Sequence, residues 1–415
     1  MNSLLFWFLL LFAFYAMYAW GARSAANRAA GMASPPPPVM ATDRIAACQA
    51  KLAPLMAITG HQESGEILQF NGRLRGKPDE AFQKIREAFA GEPVSPMLLE
   101  GEENQSRVLL VPESETKPGA PERPNWALHW LLFFATLATT TWAGALHAGV
   151  DLLRQPERFT VGLPYSLALL LILGSHELGH YFTAKIHGIA VTPPFFIPVP
   201  FALGTFGAFI KIKSLAPSRS ALFDVAVAGP LAGLVFAVPA LLVGLRYSQV
   251  IPGPVQSAVG QSGVNIDSSV LLACLAKLSL GTSFLEGDHL RLHPLAFAGW
   301  LGLIVTALNL LPIGQLDGGH MSHALFGSKK AHGLSMVAIS ALFLLALFVW
   351  PALMFWAIIV FFIAGTHDAP AANDVTPVGF PRRALGYFTF LLLLLIIVPV
   401  PHSLHDVIGI HSPYL

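Results

Sequence analysis

His176, Glu177 and His180 lie within LILGSHELGHYFTAK (Leu171–Lys185), a run that is otherwise apolar enough to enter a bilayer. Each ionisable group placed there costs about 3 kcal/mol on insertion scales. On a helix, residues i and i+4 share a face, so the two imidazoles can hold one metal ion while Glu177 serves as general base. The competing reading is a polar cluster satisfying helix–helix hydrogen bonds. A bound dication gives three costly groups a reason to be where they are.

Catalytic metal sites of this kind usually take three protein ligands and keep one position open. A third ligand is offered by Asn309–His320, NLLPIGQLDGGH. There a hydrophobic helix runs into Asn309 and Pro312, then presents Asp317 followed by two glycines. Pro312 removes a backbone donor and disturbs the helix, while Gly318 and Gly319 permit an unwound backbone. Taken in isolation, this segment is also readable as a helix end meeting water with an aspartate at the boundary.

The elements that must position these residues are membrane spans. The chain has 415 residues, 54% hydrophobic and 12% charged, with a mean hydropathy of +0.60. Soluble domains carry about 25% charged residues, so the deficit points to a polytopic membrane protein. A net charge of +1 without a basic cluster gives no reason to expect nucleic acid. Cys48 and Cys274 are far apart, which excludes a readable disulfide framework or a cysteine-based metal site. Each is expected to be a small buried hydrophobe.

The first 20 residues form a nearly pure apolar stretch long enough to span, expected to be an uncleaved anchor. Residues 21–40 are a Pro/Ala-rich linker. Residues 41–122 are charged and mixed, and read as a small soluble α/β domain. GEILQFNGRLR alternates like a strand, KPDEAFQKIREAFAG like an amphipathic helix, and SPMLLEG and SRVLLVP like two short strands. The domain shows no catalytic constellation, and His61 reads as a surface residue. From Asn125 to about residue 400 the chain is mostly membrane, with candidate spans at 126–149, 161–186, 221–245, 295–316, 334–349, 351–366 and 384–400. A short amphipathic helix is expected at 268–280, and residues 401–415 form a tail. VTPPFFIPVPFALGTFGAFIKIKS, residues 191–214, is too rich in Pro and Gly for a helix. It suits a hairpin or loop dipping into the bilayer, tolerated only where protein or water satisfies its backbone.

Arg23, Arg28, Lys211, Lys213, Arg219, Lys329, Lys330, Arg382 and Arg383 fall on the cytoplasmic side if the spans alternate strictly, whereas Arg154, Arg158, Lys277 and Arg291 do not. On that layout spans 161–186 and 295–316 run in the same direction. His176, His180 and Asp317 then reach similar depth near the cytoplasmic leaflet, as a shared metal requires.

HELGH within a span, followed by NLLPIGQLDGGH, resembles the site-2 protease family of intramembrane zinc metalloproteases. Its pattern N-x-x-P-x-x-x-x-D-G is matched at Asn309, Pro312, Asp317 and Gly318. GTFGAFIKIKS and DVAVAGPLAGL also resemble the family, and PAANDVTPVG and GRLRGKPDEAFQKI are similar to its branch called ethylene-dependent gravitropism-deficient and yellow-green-like. No PDZ-like insertion is apparent.

The resemblance implies an all-α polytopic membrane protein with about 6–8 transmembrane helices, a re-entrant β-hairpin or loop and a small N-terminal α/β domain. It implies one zinc ion per chain on His176, His180 and Asp317, with Glu177 as catalytic base. Membrane-anchored proteins are the implied substrates, cut in or near their transmembrane segments.

Asn309 reads either as a hydrogen-bond partner of substrate or as a helix-stabilising amide. His320 reads either as a group supporting the metal ligands or as a polar residue at the membrane edge, and His187 as a polar residue at the interface. Gly207 and Phe209, in the strand-like GAFIKIK, are expected to bind an unwound substrate by pairing. Two other classes stay open on the residues alone: an ion or metal transporter, and an inactive protease-like scaffold. The absence of an internal repeat speaks against the first, and the intact Glu177 against the second. No Ser/Arg-rich transit segment precedes the first apolar run, so a bacterial inner membrane is expected. Oligomeric state is not legible.

Overall fold

The structure, a computed structural model, describes residues 41–102, 105–116, 124–251, 269–281, 289–348, 353–365 and 369–398. The expected anchor, linker and C-terminal tail lie outside the described residues. The chain divides into two compact units, one up to Pro96 with Glu103–Pro112, the other comprising Met97–Glu102 and everything from Glu113 onward.

α1 (Ala41–Leu52) leads into β1 (Met56–Ser64), β2 (Ile67–Leu74), α2 (Pro78–Ala88), β3 (Val94–Glu100) and β4 (Ser106–Pro112), all in the first unit except Met97–Glu100 of β3, which belong to the second. The sheet order is β1-β2-β4-β3. β1 and β2 pair antiparallel from Met56↔Leu74 to Ser64↔Ile67, and a bulge between Ile58 and Gly60 shifts the register. α2 starts with Pro78 and carries Asp79 and Glu80 in its first turn, both suited to a helix N-terminus. It lays Ala81, Phe82 and Ile85 into a core with Leu52, Met56, Phe70 and Val108. The sequence pattern anticipates β2, α2, β3 and β4. It misses α1 and β1, whose half-exposed residues carry no clear period. Cys48 is buried as expected, and burial raises its thiol pKa.

The second unit is mostly helical. Its elements are α3 (Trp126–His147), α4 (Leu163–Ile186), β5 (Phe195–Pro198), β6 (Thr205–Phe209), α5 (Arg219–Arg246), β7 (Gln249–Ile251), α6 (Val270–Leu280), β8 (His289–Arg291), α7 (Pro294–Leu310), α8 (Asp317–Phe326), α9 (Ser328–Phe348), α10 (Leu353–Ala364) and α11 (Phe380–Ile397). Among the described residues, α5, α9 and α11 are long and apolar enough to cross a membrane by length and composition. Cys274, expected to be buried, is exposed on α6.

α5 is the central helix, and small residues let its neighbours approach closely. A Cβ added at Gly299 of α7 would stand 2.8 Å from the Ala237 carbonyl oxygen, and one at Gly179 of α4 would stand 2.6 Å from that of Ala228. Phe223, Leu234, Ala237, Leu241, Leu303 and Leu310 fill the core between these helices. Outward-facing Leu131, Phe134, Leu347, Phe388 and Leu391 stay exposed, as lipid-facing side chains do.

Between α4 and α5 the chain forms the expected hairpin. β5 pairs with β6 antiparallel, Phe195↔Phe209 and Pro198↔Thr205. The strand ends at Phe209, earlier than GAFIKIK suggests, and Ile212 makes only an isolated bridge to Val191. Helix side chains satisfy its carbonyls: the His129 ring reaches Pro194 O (3.1 Å), Thr139 donates to Gly204 O (2.7 Å) and Tyr165 to Leu203 O (2.9 Å). These donors meet the need of non-helical carbonyls for a hydrogen-bond partner.

Candidate metal centre

His176 and His180 lie one turn apart on α4, both buried, and their rings face the same gap. α7 ends at Leu310, and the chain turns through Leu311–Leu316 before α8 begins with Asp317. The expectation of an unwound backbone at Gly318 and Gly319 is corrected here, because both lie in the first turn of α8. What these glycines permit is close approach. A Cβ on Gly319 would stand 2.7 Å from Ile313 O, and one on Gly318 would overlap the Leu310 carbonyl. The unwound stretch precedes the aspartate, where Pro312 stops α7.

The turn brings Asp317 to the histidines. Its Oδ2 is 3.2 Å from His176 Nε2, its Oδ1 is 3.3 Å from His180 Nε2, and the two Nε2 atoms are 3.1 Å apart. Among the described residues these three form a group able to hold a metal ion, with all ligand atoms within 4.8 Å of one another. Ligands about 2.0–2.1 Å from a tetrahedral ion stand about 3.3–3.4 Å apart, so the spacing suits a small tetrahedral cation.

The donor arithmetic agrees. His180 donates Nδ1–H to the Val225 carbonyl of α5 at 2.8 Å. A neutral imidazole then presents a bare Nε2 lone pair to the Asp317 carboxylate. Acceptors facing acceptors in a buried space call for a cation between them. Gly229, one turn beyond Val225, has no Cβ because the His180 ring occupies that position. Gly233 lies beside His176, where a Cβ would meet ordinary contacts at 3.4 and 3.5 Å.

Glu177 is buried next to His176, and the backbone amide of Ile210, the residue after β6, lies beside its carboxylate. The hairpin therefore reaches the centre through main chain. Asn309 Nδ2 stands 3.3 Å from His176 Nε2, at the edge of the same gap. Gly207 has φ +105° with open space where a Cβ would be. Phe209 is half-exposed and stacks on Phe195, with ring centroids 5.7 Å apart. Of the expected site residues, the structure thus gathers His176, His180, Asp317, Glu177 and Asn309. It places Gly207 and Phe209 on the adjoining strand.

His187 belongs to a separate network, its Nε2 3.0 Å from Asp224 Oδ2, with Arg382 holding the same carboxylate at 2.7 and 2.8 Å. Sequence reading assigned no role to Val225 and Gly229. Their signal is in DVAVAGPLAGL, where a glycine before a proline in a helix invites a close neighbour.

Residues 164–350 match the model of peptidase family M50. The chain is 33% identical over 346 residues to the probable zinc metalloprotease EGY2, chloroplastic, of Arabidopsis thaliana, covering 80% of this chain and 60% of that protein. It is 30% identical over 379 residues to the Arabidopsis probable zinc metalloprotease EGY1, chloroplastic, covering 83% and 68%. The chain belongs to peptidase family M50. The rice EGY1, also named a chloroplastic probable zinc metalloprotease, is 30% identical over 380 residues, with 83% of this chain and 65% of that protein covered. The chain thus spans between 60% and 68% of the length of these relatives. Their names are those of chloroplast proteins, so the expectation of a bacterial inner membrane has no support from them. No solved structure matches the chain.

Proposed function

We propose that the protein is a zinc-dependent intramembrane endopeptidase that hydrolyses peptide bonds in or near transmembrane segments of membrane-anchored proteins. The observation that carries this reading is the convergence of His176, His180 and Asp317 beside Glu177 within an apolar helical unit. The donor set fits one zinc ion per chain, matching the word zinc in the relatives' names. Bound there, zinc would supply Lewis acidity at the scissile carbonyl.

The chain's own residues do the rest. Glu177 takes a proton from the attacking water as the water oxygen bonds to the carbonyl carbon, and passes it to the amine nitrogen as the C–N bond breaks. The Asn309 amide, at the rim of the gap, is placed to donate to a substrate carbonyl. A helical substrate hides its amides and must unwind before cleavage. β6, with Gly207 and Phe209, offers it an edge for backbone pairing, and Ile210 connects that edge to Glu177.

In this reading the spans number about 6–8, residues 1–20 anchor the chain, 21–40 link, 41–122 form the soluble domain, 125–400 the protease domain and 401–415 a tail. The centre opens toward the cytoplasmic face that carries Lys211, Lys213, Arg382 and Arg383.

The test is Glu177→Gln in full-length protein reconstituted with a single-span reporter. Cleavage should fall about 10²–10⁴-fold with metal content unchanged. Undiminished cleavage by Glu177→Gln would remove the base assignment, and wild-type protein without metal would remove the zinc reading.

A further inference from the structure

α8 carries Asp317 at its first residue and a second ionisable side chain, His323, six residues on. Six residues of helix turn by about 240° and rise about 9 Å, so His323 faces another direction at the far end. There its Nε2 stands 2.9 and 3.0 Å from the two carboxylate oxygens of Asp374, both side chains almost fully buried. Asp374 lies in the segment Ala371–Val378 between α10 and α11, and main chain fixes it: Leu98 N donates to Ala372 O at 2.7 Å and Asp374 N to Leu98 O at 2.8 Å. Asn373 N donates to Pro217 O at 3.2 Å, tying the same segment to the start of α5.

A second clamp holds the same end of α8. The buried Arg219 donates Nε–H to Ala324 O at 2.9 Å and Nη1–H to Glu100 Oε1 at 3.2 Å. The Glu100 carboxylate in turn occupies the space beside Gly327, the residue that ends α8, where a Cβ would be 2.7 Å from Oε1. A ten-residue helix is thereby gripped at its C-terminal end by two charged clamps, while its N-terminal end offers one carboxylate to the metal position.

We propose that the His323–Asp374 pair, braced by Arg219 and Glu100, is a positioning device that fixes the rotation and depth of α8 and so aims the Asp317 carboxylate at the ion. This rests on the metal-centre reading above. The pair touches neither histidine ligand, and its influence passes through the helix.

The experiment is zinc affinity of detergent-purified full-length protein, by competition with a chelator, alongside the unfolding midpoint of the metal-free form. The variants are Asp317→Ala, Asp374→Ala, Asp374→Asn and Glu100→Gln. Asp374→Ala should weaken zinc about ten-fold, at the lower end of what supporting partners of metal ligands contribute. Asp374→Asn, which keeps an acceptor for His323, should recover most of that loss. Glu100→Gln should weaken zinc about two-fold.

A purely structural role would lower the unfolding midpoint and leave the affinity of the folded protein unchanged; that result in Asp374→Ala overturns the proposal. Where Asp374→Ala does not fold, Glu100→Gln, altered at a partly exposed side chain, decides: unchanged affinity overturns it, a loss supports it. Zinc retained at full affinity by Asp317→Ala would instead sink the ligand set itself, and the positioning role with it.

Discussion

Two histidine–aspartate clusters sit on α8, and they differ in how their hydrogen bonds close. At the far end, one imidazole N–H lies between the two oxygens of Asp374, and the pair is complete. At the near end, His180 has already given its Nδ1–H to Val225, and its other nitrogen faces both a carboxylate and the Nε2 of His176. Burial is similar in the two places, yet only one has more acceptors than protons. A finished polar pair inside an apolar unit is a strut. An unfinished one, with lone pairs converging, is a site.

The largest effect expected from that contrast comes from removing one member of each cluster. His180→Ala should take metal content from about one equivalent per chain to nearly none, abolish cleavage and leave the metal-free unfolding midpoint almost unchanged. His323→Ala should do the reverse to stability: the stranded Asp374 carboxylate costs about 3–5 kcal/mol. Metal analysis and unfolding of the two proteins side by side measure both halves. Equal loss of stability in both would mean that the near cluster is a strut as well.

Much of the near cluster is legible in the sequence, because its chemistry needs fixed residue types at fixed spacings. His176, Glu177 and His180 announce themselves by i, i+4 spacing, and Asp317 by its place after a proline-stopped helix. The longer helices of the second unit are legible too, since long apolar runs leave little else to form, whereas the ten mixed residues of α8 give no such signal. The partners of those residues are not. Val225 contributes only a carbonyl, which any residue type has. His323 and Asp374 are 51 residues apart and meet through tertiary folding alone. The hairpin shows in its prolines and glycines, whereas the end of β6 at Phe209 depends on pairing with Phe195 that no local pattern encodes. In the first unit α1 and β1 escape notice because their exposed faces dilute both periods.

An intermediate effect is expected where α5 touches the site. Gly229→Ala puts a methyl group where the His180 ring lies, so ring or helix must shift. Zinc affinity should fall about 10–100-fold. Gly233→Ala, whose Cβ would meet His176 at an ordinary 3.4 Å, serves as the control and should bind zinc nearly as wild type does. Equal affinity in the two variants would mean that contact with α5 does not orient His180.

The smallest effect concerns the hairpin, and it separates substrate handling from metal binding. Thr139 and Tyr165 hold the turn before β6 by donating to the carbonyls of Gly204 and Leu203. A lost donor leaves its acceptor unpaired, so Thr139→Val and Tyr165→Phe each strand a carbonyl at about 1–3 kcal/mol. That strain loosens the strand end whose Ile210 amide reaches Glu177, while α4, α5 and α8 keep their places. Zinc affinity should therefore stay unchanged, and cleavage of a single-span substrate should slow a few-fold, chiefly through a higher KM as the pairing edge becomes less ordered. A parallel drop in zinc affinity would show that the hairpin belongs to the metal scaffold. An unchanged KM in both variants would remove β6 from substrate binding and leave Ile210 as a support for Glu177 alone.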